Sequence, residues 1–235
     1  MNLREKYGEW GIILGATEGV GKAFAEKIAS EGMSVVLVGR REEKLQELGK
    51  SISETYGVDH MVIRADFAQS DCTDKIFEAT KDLDMGFMSY VACFHTFGKL
   101  QDTPWEKHEQ MINVNVMTFL KCFYHYMGIF AKQDRGAVIN VSSLTAISSS
   151  PYNAQYGAGK SYIKKLTEAV AAECESTNVD VEVITLGTTI TPSLLSNLPG
   201  GPAGEAVMKT AMTPEACVEE AFDNLGKSLS VIAGE

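Results

Sequence analysis

Tyr156 and Lys160 are the two residues of this sequence whose types and spacing most readily suggest chemistry. They stand four positions apart, so on a helix both side chains project from one face, one turn apart. A free tyrosine ionises near pH ~10, and it serves as an acid or base near neutrality only if about 4 kcal/mol favours the phenolate. An ammonium at ~4 Å supplies about that much at an effective dielectric of ~20. The spacing therefore predicts that Lys160 activates Tyr156, although such pairs also occur by chance on solvated helix faces.

Ser143 is a further polar residue that we expect near this pair. It ends the apolar, β-branched run from Val138, which is typical of a buried parallel strand. Open α/β sheets bind their ligands at the carboxyl ends of the strands. The Ser143 hydroxyl is therefore expected at the ligand-binding edge of the sheet.

A glycine-rich segment, Gly15-Ala16-Thr17-Glu18-Gly19-Val20-Gly21, joins a predicted strand to a predicted helix. Such glycines allow a tight turn and a close approach of the backbone to phosphate, and the helix N-terminus offers free N–H groups. The spacing differs from that of a P-loop, since Lys22 is followed by alanine. An ordinary glycine-rich turn is the plainer alternative. We expect a dinucleotide to bind here, at Gly15, Thr17, Gly19, Val20 and Gly21.

The end of the second predicted strand indicates which dinucleotide binds. A site that prefers NAD usually carries an acid there, whereas this chain has Gly39 followed by Arg40 and Arg41. Guanidinium groups bind phosphate with planar, bidentate geometry. We therefore predict NADP, with Arg40 and Arg41 on its 2′-phosphate. The alternative is a solvated basic pair balanced by Glu42 and Glu43.

Apolar runs alternate with helical patterns along the whole chain. The predicted strands are Trp10–Leu14, Met33–Val38, Asp59–Ala65, Met85–Cys93, Val138–Ser143, Val179–Leu186 and Ser228–Ala233. The predicted helices are Gly19–Ser30, Glu42–Tyr56, Asp71–Lys81, Trp105–Lys132, a helix from about Tyr156 to Thr177, and Pro214–Gly226. Regular alternation predicts one α/β domain over residues 1–235: a Rossmann-like, doubly wound parallel sheet of about seven strands with helices on both faces.

Composition narrows the classes of function. The net charge of -10 and the absence of a basic cluster argue against nucleic-acid binding. Five widely spread cysteines fit reduced thiols in a cytoplasmic protein, and no histidine spacing suggests a metal site. The charged N-terminus lacks the apolar core of a signal peptide, and no apolar run reaches the length of a membrane span. The aromatic run at 119–126 is expected in the core or at a helix–helix interface.

Together these residues resemble the short-chain dehydrogenase/reductase family over essentially the whole chain. The motifs are Gly15/Gly19/Gly21, Asn115, Ser143, Tyr156 and Lys160, in the order and spacing of the family. The resemblance implies that Tyr156 is the general acid/base and that Ser143 hydrogen-bonds the substrate oxygen. It also implies that Lys160 lowers the pKa of Tyr156 and holds the nicotinamide ribose. Asn115, rather than Asn113, would tie Lys160 to a proton-relay water.

The same resemblance extends the expected cofactor contacts and predicts a homodimer or homotetramer. Asp66 is placed to accept from the adenine amino group, although it could equally be a turn or cap residue. The other implied contacts are Phe67, Ala92, Tyr156, Lys160, Gly187, Thr189 and Thr191. The chain departs from the family pattern at Leu14, at Tyr90–Cys93 and at Leu186–Gly187, which puts the bracing of the sheet and the nicotinamide contacts in question.

Longer stretches, such as 84–93, 101–108 and 193–202, resemble members of the family that interconvert the 7β-hydroxyl and 7-oxo groups of bile acids. The segment 188–213, rich in Pro and Gly but carrying apolar residues, is expected to form a mobile lid over an apolar substrate. Ser143, Tyr156, His95, Asn153 and Leu195 are the expected substrate contacts, although His95 could be structural and Asn153 an ordinary loop residue. Reduction of another carbonyl, such as another steroid position or a 3-oxoacyl group, and a non-catalytic NADP-binding protein remain alternatives.

Overall fold

The computed structural model describes residues 2–198 and 200–234, in which strands and helices alternate. The strands are β1 (Trp10–Leu14), β2 (Ser34–Gly39), β3 (His60–Arg64), β4 (Met85–Tyr90), β5 (Gly136–Ser143), β6 (Val179–Leu186) and β7 (Ser230–Ile232). The α-helices are α1 (Leu3–Tyr7), α2 (Gly19–Ser30), α3 (Glu42–Tyr56), α4 (Cys72–Thr80), α5 (Trp105–Ile112), α6 (Phe119–Gln133), α7 (Ala154–Glu173), α8 (Pro192–Asn197), α9 (Pro202–Lys209) and α10 (Pro214–Asn224).

The strands form one parallel sheet in the order β3-β2-β1-β4-β5-β6-β7. The predicted Rossmann-like, doubly wound sheet is therefore confirmed. Strand order reverses between β1 and β4, where the crossover connections leave on opposite faces. In sheets of this kind, the crevice at the carboxyl ends of those strands is where ligands bind.

Two apolar cores cover the two faces of the sheet. One unites buried residues of α1, α2, α3 and α10 with one face of the strands, and the other unites those of α4, α6 and α7 with the opposite face. β2 is buried along its whole length, which explains why its sequence is a continuous apolar run rather than an alternating one. Packing in the two cores fixes the positions of the strand ends, at which the ligand-binding crevice is expected.

Several predicted boundaries differ from the observed ones. β4 ends at Tyr90 rather than Cys93, because the Leu14 carbonyl accepts hydrogen bonds from both Val91 N and Ala92 N and ends the regular ladder. The long helix predicted over Trp105–Lys132 is interrupted by a π-helical segment, Asn113–Thr118. π-Helical turns occur often at functional sites because they turn side chains away from the regular helical positions.

Three short helices were missed by the sequence patterns. α1 has five residues, too few to show helical periodicity, and is capped by the Asn2 side chain, which accepts from Glu5 N at 3.2 Å. α8 and α9 lie within 188–213, where Pro and Gly concealed them, and in both helices Pro stands in the first turn. Pro199, between them, lies outside the described residues.

The aromatic run on α6 divides between core and surface. Phe119, Phe123 and Tyr126 are buried, as expected of core residues. Tyr124 is 81% exposed, because it lies on the opposite side of the helix. The prediction of a core position was therefore wrong for Tyr124, and only an interface with another molecule could cover it.

The histidines 60, 108 and 125 have partners in the fold. His60 hydrogen-bonds Ser53 at 2.7 Å, His108 contacts Gln155, and the His125 ring stacks on Phe77. In the described part of the chain, no three His, Cys, Asp or Glu side chains come together as metal ligands. None of the described helices combines the length and the apolar character needed to span a bilayer.

Glu182 on β6 provides a test of the packing. It is fully buried, neither carboxylate oxygen has a hydrogen-bond partner among the described residues, and burial raises its pKa to about 8. A carboxyl group whose pKa is higher in the folded state destabilises the fold as pH rises from its ordinary value toward pH 8.

We therefore expect Glu182→Gln to be more stable than the parent at pH 9, by on the order of 2–5 kcal/mol, and to gain nothing at pH 4. Thermal unfolding of both proteins across this range measures the difference. Glu54→Gln, at an exposed position on α3, is the matched control and should show no such pH-dependent gain. Parallel stability curves for Glu182→Gln and the parent would contradict a neutral, buried Glu182.

Candidate active site

A cavity of about 380 Å³ lies at the carboxyl ends of the central strands. All the predicted cofactor residues except Gly21 line it: Gly15, Thr17, Gly19, Val20, Arg40, Arg41, Asp66, Phe67, Ala92, Tyr156, Lys160, Gly187, Thr189 and Thr191. Ser143 lines it as well. The fold thus brings together predicted cofactor residues that are up to 176 positions apart in the sequence, from Gly15 to Thr191.

The glycines of the β1–α2 turn form a cradle that larger side chains would fill. Gly15 has φ +105°, and a Cβ there would lie 2.6 Å from Ala92 N. A Cβ on Gly21 would lie 2.0 Å from the Gly15 carbonyl oxygen, so this glycine permits helix α2 to pack on the turn. No side chain caps the first turn of α2. Free N–H groups at an open helix start fit the pyrophosphate of a dinucleotide.

The two arginines differ in their surroundings. Arg41 forms an ion pair with Glu18 at 2.9 Å, and Lys44 approaches the same carboxylate at 3.7 Å. Within residues 2–198 and 200–234, no ion pair involves Arg40. The arginine lowers the pKa of Glu18 through their hydrogen bond, so this carboxylate is held charged. Arg41 is thus balanced by Glu18 on the cradle, and neither Glu42 nor Glu43 is paired with it.

Asp66 is a turn residue that also lines the cavity. Its carboxylate accepts from Ala68 N at 3.1 Å and its carbonyl from Gln69 N at 2.9 Å, which is the bonding of a turn residue. The same residue lines the cavity beside Phe67, whose ring packs against Tyr90. The turn therefore fixes the carboxylate in the cavity lining, and its contact with an adenine stays a prediction.

Ser143 and Tyr156 meet at the inner end of the cavity. Ser143 ends β5, Tyr156 lies in the first turn of α7, and the two hydroxyl groups are hydrogen-bonded. Ser143 Oγ also accepts from Thr145 N at 3.3 Å, which orients it. Burial raises the pKa of Tyr156 well above its usual value, the Cys93 sulfur adds to the rise, and the Ser143 hydrogen bond lowers it.

Lys160 lies one turn after Tyr156, as its spacing predicts, but its contacts differ from those expected. It is buried, and its Nζ donates to the Val141 carbonyl at 2.9 Å, 5.8 Å from the centre of the Tyr156 ring. Burial lowers the pKa of Lys160. The raised pKa of Tyr156 is opposite in direction to the activation that the Tyr–Lys spacing predicts, because desolvation of the phenol outweighs its favourable contacts.

Asn115 occupies the π-helical segment and fixes the loop after β4. Its amide accepts from Phe94 N at 2.9 Å and donates to the Phe94 carbonyl at 2.7 Å. Asn113, by contrast, bonds the Ala68 carbonyl at 3.3 Å from an exposed position. The side chain of Asn115 therefore organises the cavity wall, and its link to Lys160 through water stays a prediction.

Of the predicted substrate residues, Ser143 and Tyr156 line the cavity, whereas three others lie outside its lining: His95, Asn153 and Leu195. The His95 ring lies 5.6 Å from that of Tyr156, and its imidazole hydrogen-bonds Cys93, so it is both structural and close to the site. Asn153 is buried, and its Oδ1 has no partner among the described residues. Leu195 on α8 is 52% exposed.

The cavity also contains residues that the sequence did not single out for a role. Among them are Glu18, Cys93, Phe94, Gln110 and Ser193. The sequence could have indicated Cys93, since this residue departs from the family pattern directly after β4. The sequence could not have indicated Gln110, because a glutamine in a polar helix is indistinguishable from a surface residue.

Comparison with known proteins agrees with this geometry. Residues 9–198 match the family model described as short chain dehydrogenase. A 7beta-hydroxysteroid dehydrogenase of Mediterraneibacter gnavus is 76% identical over 235 residues, covering all of this chain and 89% of that protein. A solved structure from work on 7beta-hydroxysteroid dehydrogenase stereoselectivity has 76% identity and a TM-score of 0.97, covering 100% of this chain and 91% of that one.

The fold is also shared by more distant structures. A short-chain dehydrogenase from Sphingobium yanoikuyae, solved in complex with NADPH, superposes with a TM-score of 0.86 at 21% identity, covering 96% of this chain and 88% of that one. The resemblance noted in the motifs is thereby confirmed. With a matching family model over most of its length and relatives this similar from end to end, the chain belongs to the short-chain dehydrogenase/reductase family.

Proposed function

We propose that this chain interconverts the 7β-hydroxyl and 7-oxo groups of bile acids, with NADP as its cofactor. The observation that carries the proposal is the 76% identity, over the whole chain, with the 7beta-hydroxysteroid dehydrogenase of Mediterraneibacter gnavus. The hydrogen-bonded hydroxyl groups of Ser143 and Tyr156 in the cavity suit an alcohol or ketone oxygen. The Gly15–Gly21 cradle and Arg40 suit the phosphates of NADP.

The chain's own residues would manage the proton and the position of the substrate. Bound nicotinamide supplies or accepts the hydride. Tyr156 would take the hydroxyl proton in oxidation and return it in reduction, while Ser143 hydrogen-bonds the same oxygen. Lys160 and Asn115 would hold the cavity wall through Val141 and Phe94. Each role is assigned to a group that lies at or directly behind the cavity.

The segment 188–213 would cover the substrate. The Thr189–Met212 bridge closes its base, and Met212 N donates to the Thr188 carbonyl at 3.0 Å. Its apolar side chains are half-buried or exposed: Leu194, Leu195, Leu198, Val207, Met208 and Met212. A rigid apolar steroid would cover this surface, so the segment suits such a substrate better than a small polar one.

Initial-rate measurements test the proposal, with the absorbance of the reduced nicotinamide as the signal. Ursodeoxycholate, which carries the 7β-hydroxyl, is the substrate, and its 7α epimer chenodeoxycholate is the matched control. We expect turnover of ursodeoxycholate with NADP and little with chenodeoxycholate or NAD. Equal rates with the two epimers, or no turnover by a protein that binds NADP, would contradict the assignment. Competition by other ketones, including 3-oxoacyl groups, then separates the remaining substrate classes.

Ser143→Ala is expected to move the pH profile of oxidation. The phenolate of Tyr156 is the base, so oxidation rises with pH, and a raised pKa places that rise on the alkaline side. Removing the Ser143 hydrogen bond, which lowers the pKa of Tyr156, should shift the rise to still higher pH and reduce the rate by about 10²-fold. The measurement is kcat/KM for oxidation against pH.

The matched control for that profile is Ser161→Ala. Ser161 lies on the same helix, but its hydroxyl donates to the carbonyls of Ala146 and Gly157. It should leave the pH profile in place. A Ser143→Ala profile that falls in height without shifting would show that Ser143 positions the substrate without acting on Tyr156.

We also propose that the chain self-associates and that it is located in the cytoplasm. Met117 and Tyr124 are both exposed, one in the π-helical segment and one on α6, so they leave large apolar side chains uncovered along this helical region. A second copy of the chain would cover these side chains in a homodimer or homotetramer. Sedimentation of the parent and of Tyr124→Glu measures the effect, and a monomeric parent would contradict it.

A further inference from the structure

His108 on α5 is buried, and each of its two ring nitrogens faces an oxygen atom of another segment. Nδ1 contacts Gln155 Oε1, and Nε2 lies 3.1 Å from the Leu100 carbonyl oxygen. The orientation of the Gln155 amide is fixed, because its Nε2 donates to the His108 carbonyl at 3.0 Å. Both oxygen atoms that face the ring are therefore hydrogen-bond acceptors.

Two acceptors can be bonded together only by a ring that carries hydrogen on both nitrogens. A neutral imidazole has one donor and one acceptor, whereas the imidazolium ion has two donors. A neutral His108 would leave one nitrogen lone pair facing an oxygen, and an unmade bond of a buried polar group is unfavourable. The contacts of His108 thus fit its charged form, and they join three parts of the chain: segment 94–104, helix α5 and the first turn of α7. We refer to this arrangement as the His108 clamp.

The described residues that line the space around this ring include one carboxylate and no cation other than His108. A second cavity, of about 690 Å³, borders the ring, and segment 94–104 and α7 contribute no titratable group to its lining: Leu100, Gln101, Thr103 and Gln155. Glu109, on α5 itself, lines the same cavity, and a carboxylate favours an imidazolium ion. Tyr156, the next residue on α7, is uncharged, because burial raises its pKa. The other charged residues of segment 94–104 and of α5 lie outside this lining: Lys99, Asp102, Glu106 and Lys107.

The His108 clamp lies directly beside Tyr156. Gln155 precedes Tyr156 in the first turn of α7, and the clamped segment before α5 also carries His95, whose ring lies 5.6 Å from that of Tyr156. In the same segment, Gly98 N donates to the Tyr152 carbonyl at 2.9 Å. Tyr152 has φ +64°, a left-handed conformation that persists in a tyrosine only when surrounding contacts hold it. The start of α7 is thus held in place by the segment that the clamp fixes.

We propose that His108 is a positioning residue for Tyr156, and that its imidazolium form clamps segment 94–104 to the first turn of α7. With both bonds made, the phenol is held in one place relative to the bound substrate. With one bond lost, the first turn of α7 is less constrained, and a misplacement of about 1 Å can cost on the order of 10²-fold in rate. The inference rests on the proposed role of Tyr156 as the acid/base, and it adds a titratable group that lies outside the cofactor cavity.

Hydrogen exchange at the first turn of α7 tests the clamp without any substrate. The peptide that contains residues 154–160 is followed by mass spectrometry, at one pH, in the parent and in His108→Ala. We expect roughly 10-fold faster exchange in the variant, for example at Gly157, whose N–H donates to the Asn153 carbonyl at 3.0 Å. A peptide from β2, which is buried along its whole length, should exchange alike in both proteins and so shows that the variant is folded.

The kinetic effect is expected in kcat rather than in binding. His108→Ala should lower kcat for reduction of 7-oxolithocholate about 10–100-fold, because Tyr156 is misplaced. KM and NADPH affinity should stay within a few-fold of the parent, since His108 does not line the cofactor cavity. His108→Asn and His108→Gln, each of which supplies one amide group as a donor, should recover part of the loss.

The matched control for these variants is His60→Asn. It also removes an imidazole that is hydrogen-bonded in the fold, to Ser53 at 2.7 Å. His60 begins β3, at the end of the strand away from the cavity. Its loss should leave kcat and the exchange of the first turn of α7 as they are in the parent.

The pH profile separates an imidazolium clamp from a neutral one. In the parent, kcat for reduction should fall about 10-fold as pH rises through the range in which imidazoles lose their proton, about pH 6.5 for a free histidine. Tyr156 keeps its proton there, since burial raises its pKa. His95 is a second imidazole beside Tyr156, and its hydrogen bond with Cys93 raises its pKa. The fall is therefore assigned to His108 by its absence from the profile of His108→Asn.

Two kinds of result would overturn the inference. Parental exchange or parental kcat in His108→Ala would show that nothing at the first turn of α7 depends on the clamp. A His108→Asn profile that keeps the parental fall, or a parent without one, would show that the charge of His108 does not act on Tyr156. If the parent does not turn over bile acids, the proposed function fails, and hydrogen exchange still decides whether the clamp exists.

Discussion

Tyr156→Phe should lower turnover by about 10²–10⁴-fold, the range typical of a lost general acid/base. The change removes one oxygen atom and leaves the ring, which packs beside His95 and within reach of Lys160. With the phenol gone, Ser143 Oγ keeps the hydrogen bond from Thr145 N, a backbone amide that cannot serve as the acid. The measurement is kcat with ursodeoxycholate and NADP, alongside NADPH affinity, which should change only a few-fold.

The control for this variant is Tyr162→Phe. Tyr162 lies on the same helix α7, and its ring meets the edge of Phe119. It does not line the cavity, so loss of its hydroxyl should leave turnover near that of the parent. A Tyr156→Phe protein with more than about a tenth of parental turnover would require another proton donor, and the assignment of Tyr156 would fail.

The double variant Arg40→Ser/Arg41→Ser should lose most of its preference for NADP. A charge-assisted hydrogen bond contributes about 1.5–3 kcal/mol, so losing two corresponds to roughly 10²–10⁴-fold in kcat/KM for NADP. The rate with NAD should change little, since NAD has no 2′-phosphate. Of the single variants, Arg40→Ser should have the larger effect, because the Arg41 guanidinium is already paired with Glu18.

Lys44→Ser is the matched control for charge alone. It removes one cation that also approaches Glu18, at 3.7 Å, but Lys44 does not line the cavity. Its effect on NADP should stay within a few-fold and weaken with added salt, as expected of a screened surface charge. If Lys44→Ser and Arg40→Ser weaken NADP equally, the basic pair acts only through general electrostatics and the predicted phosphate contact is wrong.

Much of the fold and of the candidate site could be predicted because their signals are local. Strand β1, helices α2 and α3 and strand β6 have the predicted boundaries, since each is a short run with a clear apolar pattern between turn residues. The glycine spacing requires a tight turn wherever it occurs. Tyr156 and Lys160 share a helix, so their separation is fixed by helical geometry alone.

The contacts made across the sheet could not be predicted in the same way. Cys93 and His95 lie beside Tyr156 because β4 and β5 are neighbouring strands. The Asn115 amide also holds the loop that follows β4 in place. Glu18 faces Arg41 for a similar reason, since β1 and β2 end at the same edge. The spacing of these residues in the sequence predicts none of these distances.

The sequence by itself determined the alternation of elements, the dinucleotide cradle and the residues able to move a proton. The tertiary structure alone decided the electrostatic state of those residues. The pKa of Tyr156 is raised by burial, Lys160 is turned to the Val141 carbonyl, and Glu182 is held in an apolar interior. Residue type and spacing set which groups can meet, but desolvation depends on every atom packed around a group, and only the folded chain fixes those atoms.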